Sequence, residues 1–124
     1  MSCQLQRSVI ATFIMKQYVI DELRFDDYKK LKAYFDENFT SSDIDGIYWI
    51  PLEQVPLTNI QTEHTECQPF YFAIELKPDT LACELLVRTK SRVRCDCISY
   101  ATEKQLSWLI SFMDGIFVKL EIIT

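Results

Sequence analysis

FYFAIELKPDTLACELLVR, residues 70–88, is the stretch that decides the fold. Apolar side chains alternate along its first half, with Phe70, Phe72, Ile74 and Leu76 on one face. A period of two is the mark of a half-buried strand. KPDT (residues 77–80) is tight-turn chemistry, and Leu81, Cys83, Leu85 and Val87 resume the alternation beyond it. Pairing Lys77 with Thr80 sets Leu76 opposite Leu81, Ile74 opposite Cys83 and Phe72 opposite Leu85. All apolar pairs then share one side, whereas a slip of one residue would turn the whole set to solvent.

The meander continues outward from this hairpin. TKS (residues 89–91) turns the chain, and RVRCDCISY (residues 92–100) reads as a third strand. It carries Val93, Cys95 and Cys97 on one face and Arg92, Arg94 and Asp96 on the other. Upstream, YVIDEL (residues 18–23) and GIYWIPL (residues 46–52) are strands, the second ending at Pro51. Between them Tyr28, Leu31, Phe35 and Phe39 recur at three- and four-residue steps, which predicts a helix over residues 26–38. Asp26 and Asp27 sit where the helix dipole favours negative charge.

Thr102 followed by Gln105 is a capping-box pattern that opens a second helix. Leu106, Leu109, Ile110 and Met113 form its core stripe, with Trp108 and Phe112 on a second flank. Asp114 and Gly115 read as its stop. IFVKLEII (residues 116–123) then alternates Val118, Leu120 and Ile122 against Lys119 and Glu121, giving a final strand, with a continued helix as the alternative. Residues 53–68 have no clean period and read as a loop with room for one helical turn. The order β-α-β-β-β-β-α-β makes an α+β domain: an antiparallel sheet of about five strands with two helices packed on one face. Residues 1–14 read as an N-terminal arm or extension and residues 15–124 as a single α+β domain.

Composition excludes several classes of function. The chain has 124 residues, 48% hydrophobic and 25% charged, which suits one folded domain. Its net charge of −5 opposes generic nucleic-acid binding, which draws on excess Lys and Arg, and opposes anionic membrane surfaces too. The apolar run at residues 9–15, VIATFIM, falls well short of the ~20 residues a membrane span needs and lacks the parts of a secretory signal. Five cysteines are an odd number, and reduced thiols in a cytoplasmic protein are the simplest account. With only two glycines, Gly46 and Gly115, no phosphate-cradling loop or nucleophile elbow can be built. These absences favour a protein that is not an enzyme and carries no cofactor.

His64, the sole histidine, stands three residues before Cys67; Cys95 and Cys97 follow downstream. Together they form a nominal Cys3His ligand set. A straight strand separates alternate residues by about 6.6 Å, whereas tetrahedral zinc holds two sulfurs about 3.8 Å apart. The alternation through Val93, Cys95 and Cys97 therefore favours small buried hydrophobes over ligands; the same pair placed in a turn could chelate. A catalytic thiol at Cys67 is disfavoured because Glu63 and Glu66 flank it with negative charge.

Two surfaces remain. Arg88, Lys90, Arg92 and Arg94 surround one hairpin tip and form a candidate anion or partner patch. Trp108, Phe112, Leu86, Ile98 and Tyr100 are more apolar surface than one sheet face and two helices cover. Self-coverage and association account for this surplus equally well. The expectation is a non-catalytic, self-associating module, a homodimer that binds a protein or small molecule. The alternative is a metal-binding or thiol-redox module using His64, Cys67, Cys95 and Cys97.

Overall fold

The computed structural model describes residues 17–41, 44–53, 56–90 and 94–123. Residues 1–14, read from the sequence as an arm, and Arg92 and Val93 lie outside them. Five strands form the main antiparallel path in the order β1 (Gln17–Asp21), β5 (Thr80–Glu84), β4 (Phe70–Leu76), β3 (Ile47–Pro51), β2 (Thr40–Ser41). β6 (Leu86–Thr89) pairs with β4, and β7 (Ser99–Tyr100) pairs with β6. The α+β class and the antiparallel sheet are as the sequence predicts; among the described residues the strands number seven, several of them short.

The hairpin holds its expected register at Leu76↔Leu81 and Ile74↔Cys83. The expected Phe72–Leu85 pair does not continue that ladder. Pairing resumes at Tyr71↔Arg88 and Phe70↔Thr89, so the chain advances five residues (83 to 88) while β4 advances three (74 to 71). An insertion of two preserves the side-chain alternation, and Leu85 and Val87 stay buried beside Cys83. The break at Leu85 bends the strand, as bulges do, and frees its carbonyl to accept the Ala101 N–H at 2.7 Å.

Helices α1 (Phe25–Asn38) and α3 (Glu103–Lys119) lie on the buried face of the sheet. From α1, Leu31 and Phe35 are fully buried, and Phe35 packs its ring against Tyr48 of β3. From α3, Trp108 stacks over Phe72 of β4 and Phe112 meets Phe39, which joins the two helices. The Thr102–Gln105 capping box forms as expected, with both reciprocal bonds at 3.1 Å.

Two expected strands are corrected. Residues 116–123 do not form one: α3 runs through Gly115 to Lys119. Ile116 and Phe117 extend the buried stripe of Leu109 and Met113 at helical spacing, and that burial outweighs the glycine's cost of about 1 kcal/mol. The helix then closes in a Schellman motif, with Ile122 N–H donating to Phe117 O and Glu121 N–H to Val118 O. Glu121 occupies the left-handed position at φ 59°. Likewise, the described part of the expected strand at 92–100, residues 94–100, is not one strand. Only Ser99 and Tyr100 pair, opposite Val87 and Leu86, and the chain turns at Cys95–Ile98, where Ile98 N–H donates to Cys95 O at 3.0 Å.

The segment read as a loop contains a short helix, α2 (Asn59–Glu63), and a 3-10 turn, Thr65–Cys67. Thr58 and Gln61 cap α2 with a second capping box. TNIQ (residues 58–61) carries the same Thr-x-x-Gln signal as TEKQ, so this helix start was legible in the sequence.

Candidate metal centre

Two turns from distant parts of the chain meet at one end of the sheet. In the first, His64 closes α2, its N–H donating to Ile60 O at 3.0 Å. The 3-10 turn follows, and Cys67 N–H donates to His64 O at 3.0 Å. That bond folds His64 and Cys67 back onto one side. In the second turn, the Ile98-to-Cys95 bond does the same for Cys95 and Cys97. The straight-strand objection to chelation therefore does not apply to this pair.

The structure brings together all four candidate ligands, whose ligating atoms lie within 4.8 Å of one another. His64 Nδ1 is 3.2 Å from Cys95 Sγ, and Cys67 Sγ is 4.0 Å from Cys95 Sγ. A tetrahedral zinc ion spaces sulfur from sulfur by about 3.8 Å and sulfur from imidazole nitrogen by about 3.5 Å. Cys67 and Cys97 are buried, each 1% exposed, while His64 and Cys95 are half-buried.

The thiols are electrostatically unequal. Hydrogen bonding from the Cys97 backbone, then from the Cys97 thiol, His64 and Cys67, draws Cys95 down to about 7. Burial pushes Cys97 up to about 12, and the neighbouring Cys95 and Cys67 push the same way. Of these two, Cys95 is therefore the readier to lose its proton. A bound dication would override the difference, since a coordinating thiol is deprotonated outright. Cys83, buried in the core, is pushed up to about 12 by burial alone.

Two fully buried glutamines support the cluster. Gln61 Nε2 donates to Cys97 O at 3.1 Å, and Gln105 Nε2 donates to Gln61 Oε1 at 2.8 Å. Gln61 Oε1 also accepts the Thr58 N–H at 3.0 Å. The two capping boxes are therefore linked, and through Gln61 they hold the Cys95–Cys97 turn against the starts of α2 and α3. Thr89 Oγ1 donates to Cys67 O and pins the other turn to β6. Neither glutamine stands out in the sequence beyond its capping role; their mutual contact spans 44 positions.

The other described candidate residues are not part of this ligand cluster. Arg88 forms a double ion pair with Glu84 at 2.6 and 3.1 Å, and Lys90 lies over the Tyr71 and Trp49 rings on the sheet face away from the core. Arg94 is exposed. Trp108 and Phe112 stack on each other at 5.0 Å and pack against the core, while Leu86 and Ile98 are half-buried and Tyr100 is exposed. Beside Trp108 an open cleft of about 490 Å³ is lined by Glu53, Pro56, Lys104, Ser107 and Ser111. No described helix is long and apolar enough to cross a membrane. Comparison with models of known protein families, with curated proteins and with solved protein structures finds no match.

Proposed function

We propose that this protein is a small non-catalytic binding module whose partner-facing end is organised by a structural zinc ion held by His64, Cys67, Cys95 and Cys97. The convergence of four ligating atoms within 4.8 Å, from two turns far apart in sequence, carries this reading. Soft thiolates with one imidazole suit zinc, and oxygen-preferring ions such as magnesium and calcium fit such a set poorly. Four protein ligands fill a tetrahedral shell and leave no position for a reactive water, which favours a structural role over a catalytic one. Thiols kept free for metal suit a reducing compartment such as the cytoplasm.

The ion would fix the segment that carries the candidate partner surface. Ile98 directly follows the Cys95–Cys97 turn, and Tyr100 pairs with Leu86 across β6 and β7. Metal binding would thereby order Ile98, Tyr100 and Leu86 as one apolar patch for a protein partner, a second copy of the chain being the simplest. Cobalt(II) titration of the reduced, untagged protein tests the reading. Intense thiolate charge-transfer bands and tetrahedral ligand-field bands that saturate at one equivalent are expected, as is their loss in Cys97→Ser. An octahedral cobalt spectrum, or titration without saturation, would refute it.

A further inference from the structure

We infer that the centre is an oxidant-labile switch: a peroxide joins Cys67 to Cys95 as a disulfide and expels the metal. The inference rests on the metal reading above. Its own support is the arrangement of the two sulfurs, which already lie 4.0 Å apart on separate turns and need to close by about 2 Å to reach bonding distance. Their exposure differs in a useful way. Cys95 is half-buried and meets solvent, whereas Cys67 lies behind it at 1% exposure. A more accessible sulfur that reacts first and a sheltered neighbour that resolves it is the arrangement of a reversible thiol sensor. Cys97 is buried, its carbonyl held by Gln61, and Cys83 sits in the core away from the cluster.

The chemistry balances with hydrogen peroxide as oxidant. The Cys95 sulfur attacks one peroxide oxygen, the O–O bond breaks, and the leaving hydroxide takes a proton to become water. The resulting Cys95 sulfenic acid is attacked by the Cys67 sulfur. The S–S bond forms as the S–O bond breaks, and the second hydroxide also leaves as water. The two thiolates give up two electrons in all, peroxide accepts them, and solvent supplies two protons. Only His64 and Cys97 then remain as ligands, too few to retain the ion. The disulfide still ties together the two turns the metal had joined, so the domain stays folded while its metal-ordered end is remodelled.

The test uses the full chain, reduced and loaded with zinc, and treated with hydrogen peroxide. Released zinc is read with a chromogenic chelator, and linkages are mapped by non-reducing peptide mass spectrometry. One equivalent of zinc lost per Cys67–Cys95 disulfide is expected, with re-uptake after a dithiol reductant is added and removed. Cys83→Ser should behave like the parent. Zinc retained while Cys95 passes to sulfinic acid, or zinc lost with a Cys95–Cys97 linkage, would overturn the inference and leave the metal reading intact. A chain that takes up no zinc before oxidation would overturn the metal reading itself, and the inference with it.

Discussion

Replacing Gln61 with leucine isolates the contact that joins the metal turns to the rest of the domain. The side chain makes three hydrogen bonds: to Cys97 O at 3.1 Å, from Gln105 Nε2 at 2.8 Å and from Thr58 N at 3.0 Å. Leucine is nearly the same size but fills none of these roles. The Cys97 carbonyl and the Gln105 amide would be left buried without their partner, at about 1–3 kcal/mol each. Buried leucine surface offsets part of this, so a net loss of about 2–4 kcal/mol is expected. Zinc affinity should fall by about 10- to 100-fold, because the Cys95–Cys97 turn loses its outer support. Urea unfolding of zinc-loaded and chelator-treated protein measures the first effect, and chelator competition the second. The double variant Gln61→Leu with Gln105→Leu should regain little of the stability, since Gln105→Leu removes one orphaned amide but takes the acceptor from the Thr102 N–H of the α3 capping box. A single variant within about 1 kcal/mol of the parent, with unchanged zinc affinity, would show that the glutamine pair does not hold the centre.

Three further outcomes follow from the fold. Gly115→Ala should stabilise the domain by about 0.5–1 kcal/mol, since the added methyl meets nothing within 4 Å on an exposed helical position; unchanged or lowered denaturant midpoints would contradict this. Glu121→Gly should raise thermal stability because Glu121 holds the left-handed position of the α3 cap at φ 59°, and a lower melting temperature would refute the cap assignment. Tyr48→Phe should destabilise most at neutral pH. The Tyr48 hydroxyl donates to Asp36 at 2.6 Å and, with Lys32, holds that carboxyl below its usual range. A depressed carboxylate contributes stability above its unfolded pKa and loses it as pH falls through the folded one. The gap between parent and variant should therefore narrow in acid, and a gap that widens would show the bond to be misassigned.

Local chemistry made much of this fold legible. The hairpin of β4 and β5 could be read from alternation and one turn, because register fixes which face is buried. The α3 start could be read from a capping box. What failed were segments whose local pattern fits two structures. Residues 116–123 alternate like a strand, yet Ile116 and Phe117 continue a helical stripe that only the packed core can favour. Residues 92–100 alternate too, but the Cys95–Cys97 turn depends on Gln61, 36 positions away. The metal centre was legible as residue types and illegible as geometry for that same reason. Trp108 and Phe112, which from the sequence alone read as surplus surface, spend their rings on Phe72, Phe39 and each other.

Metal stoichiometry is the most direct measure of the central claim. Protein produced without a histidine tag, kept reduced and passed through a desalting column, would be weighed intact by native mass spectrometry and assayed for metals in parallel. One zinc ion per chain is expected, lost in Cys97→Ser and retained in Cys83→Ser, whose thiol lies apart in the core. A metal-free chain that stays so after incubation with excess zinc would contradict the claim, and the four residues would then be neighbours without a ligand in common.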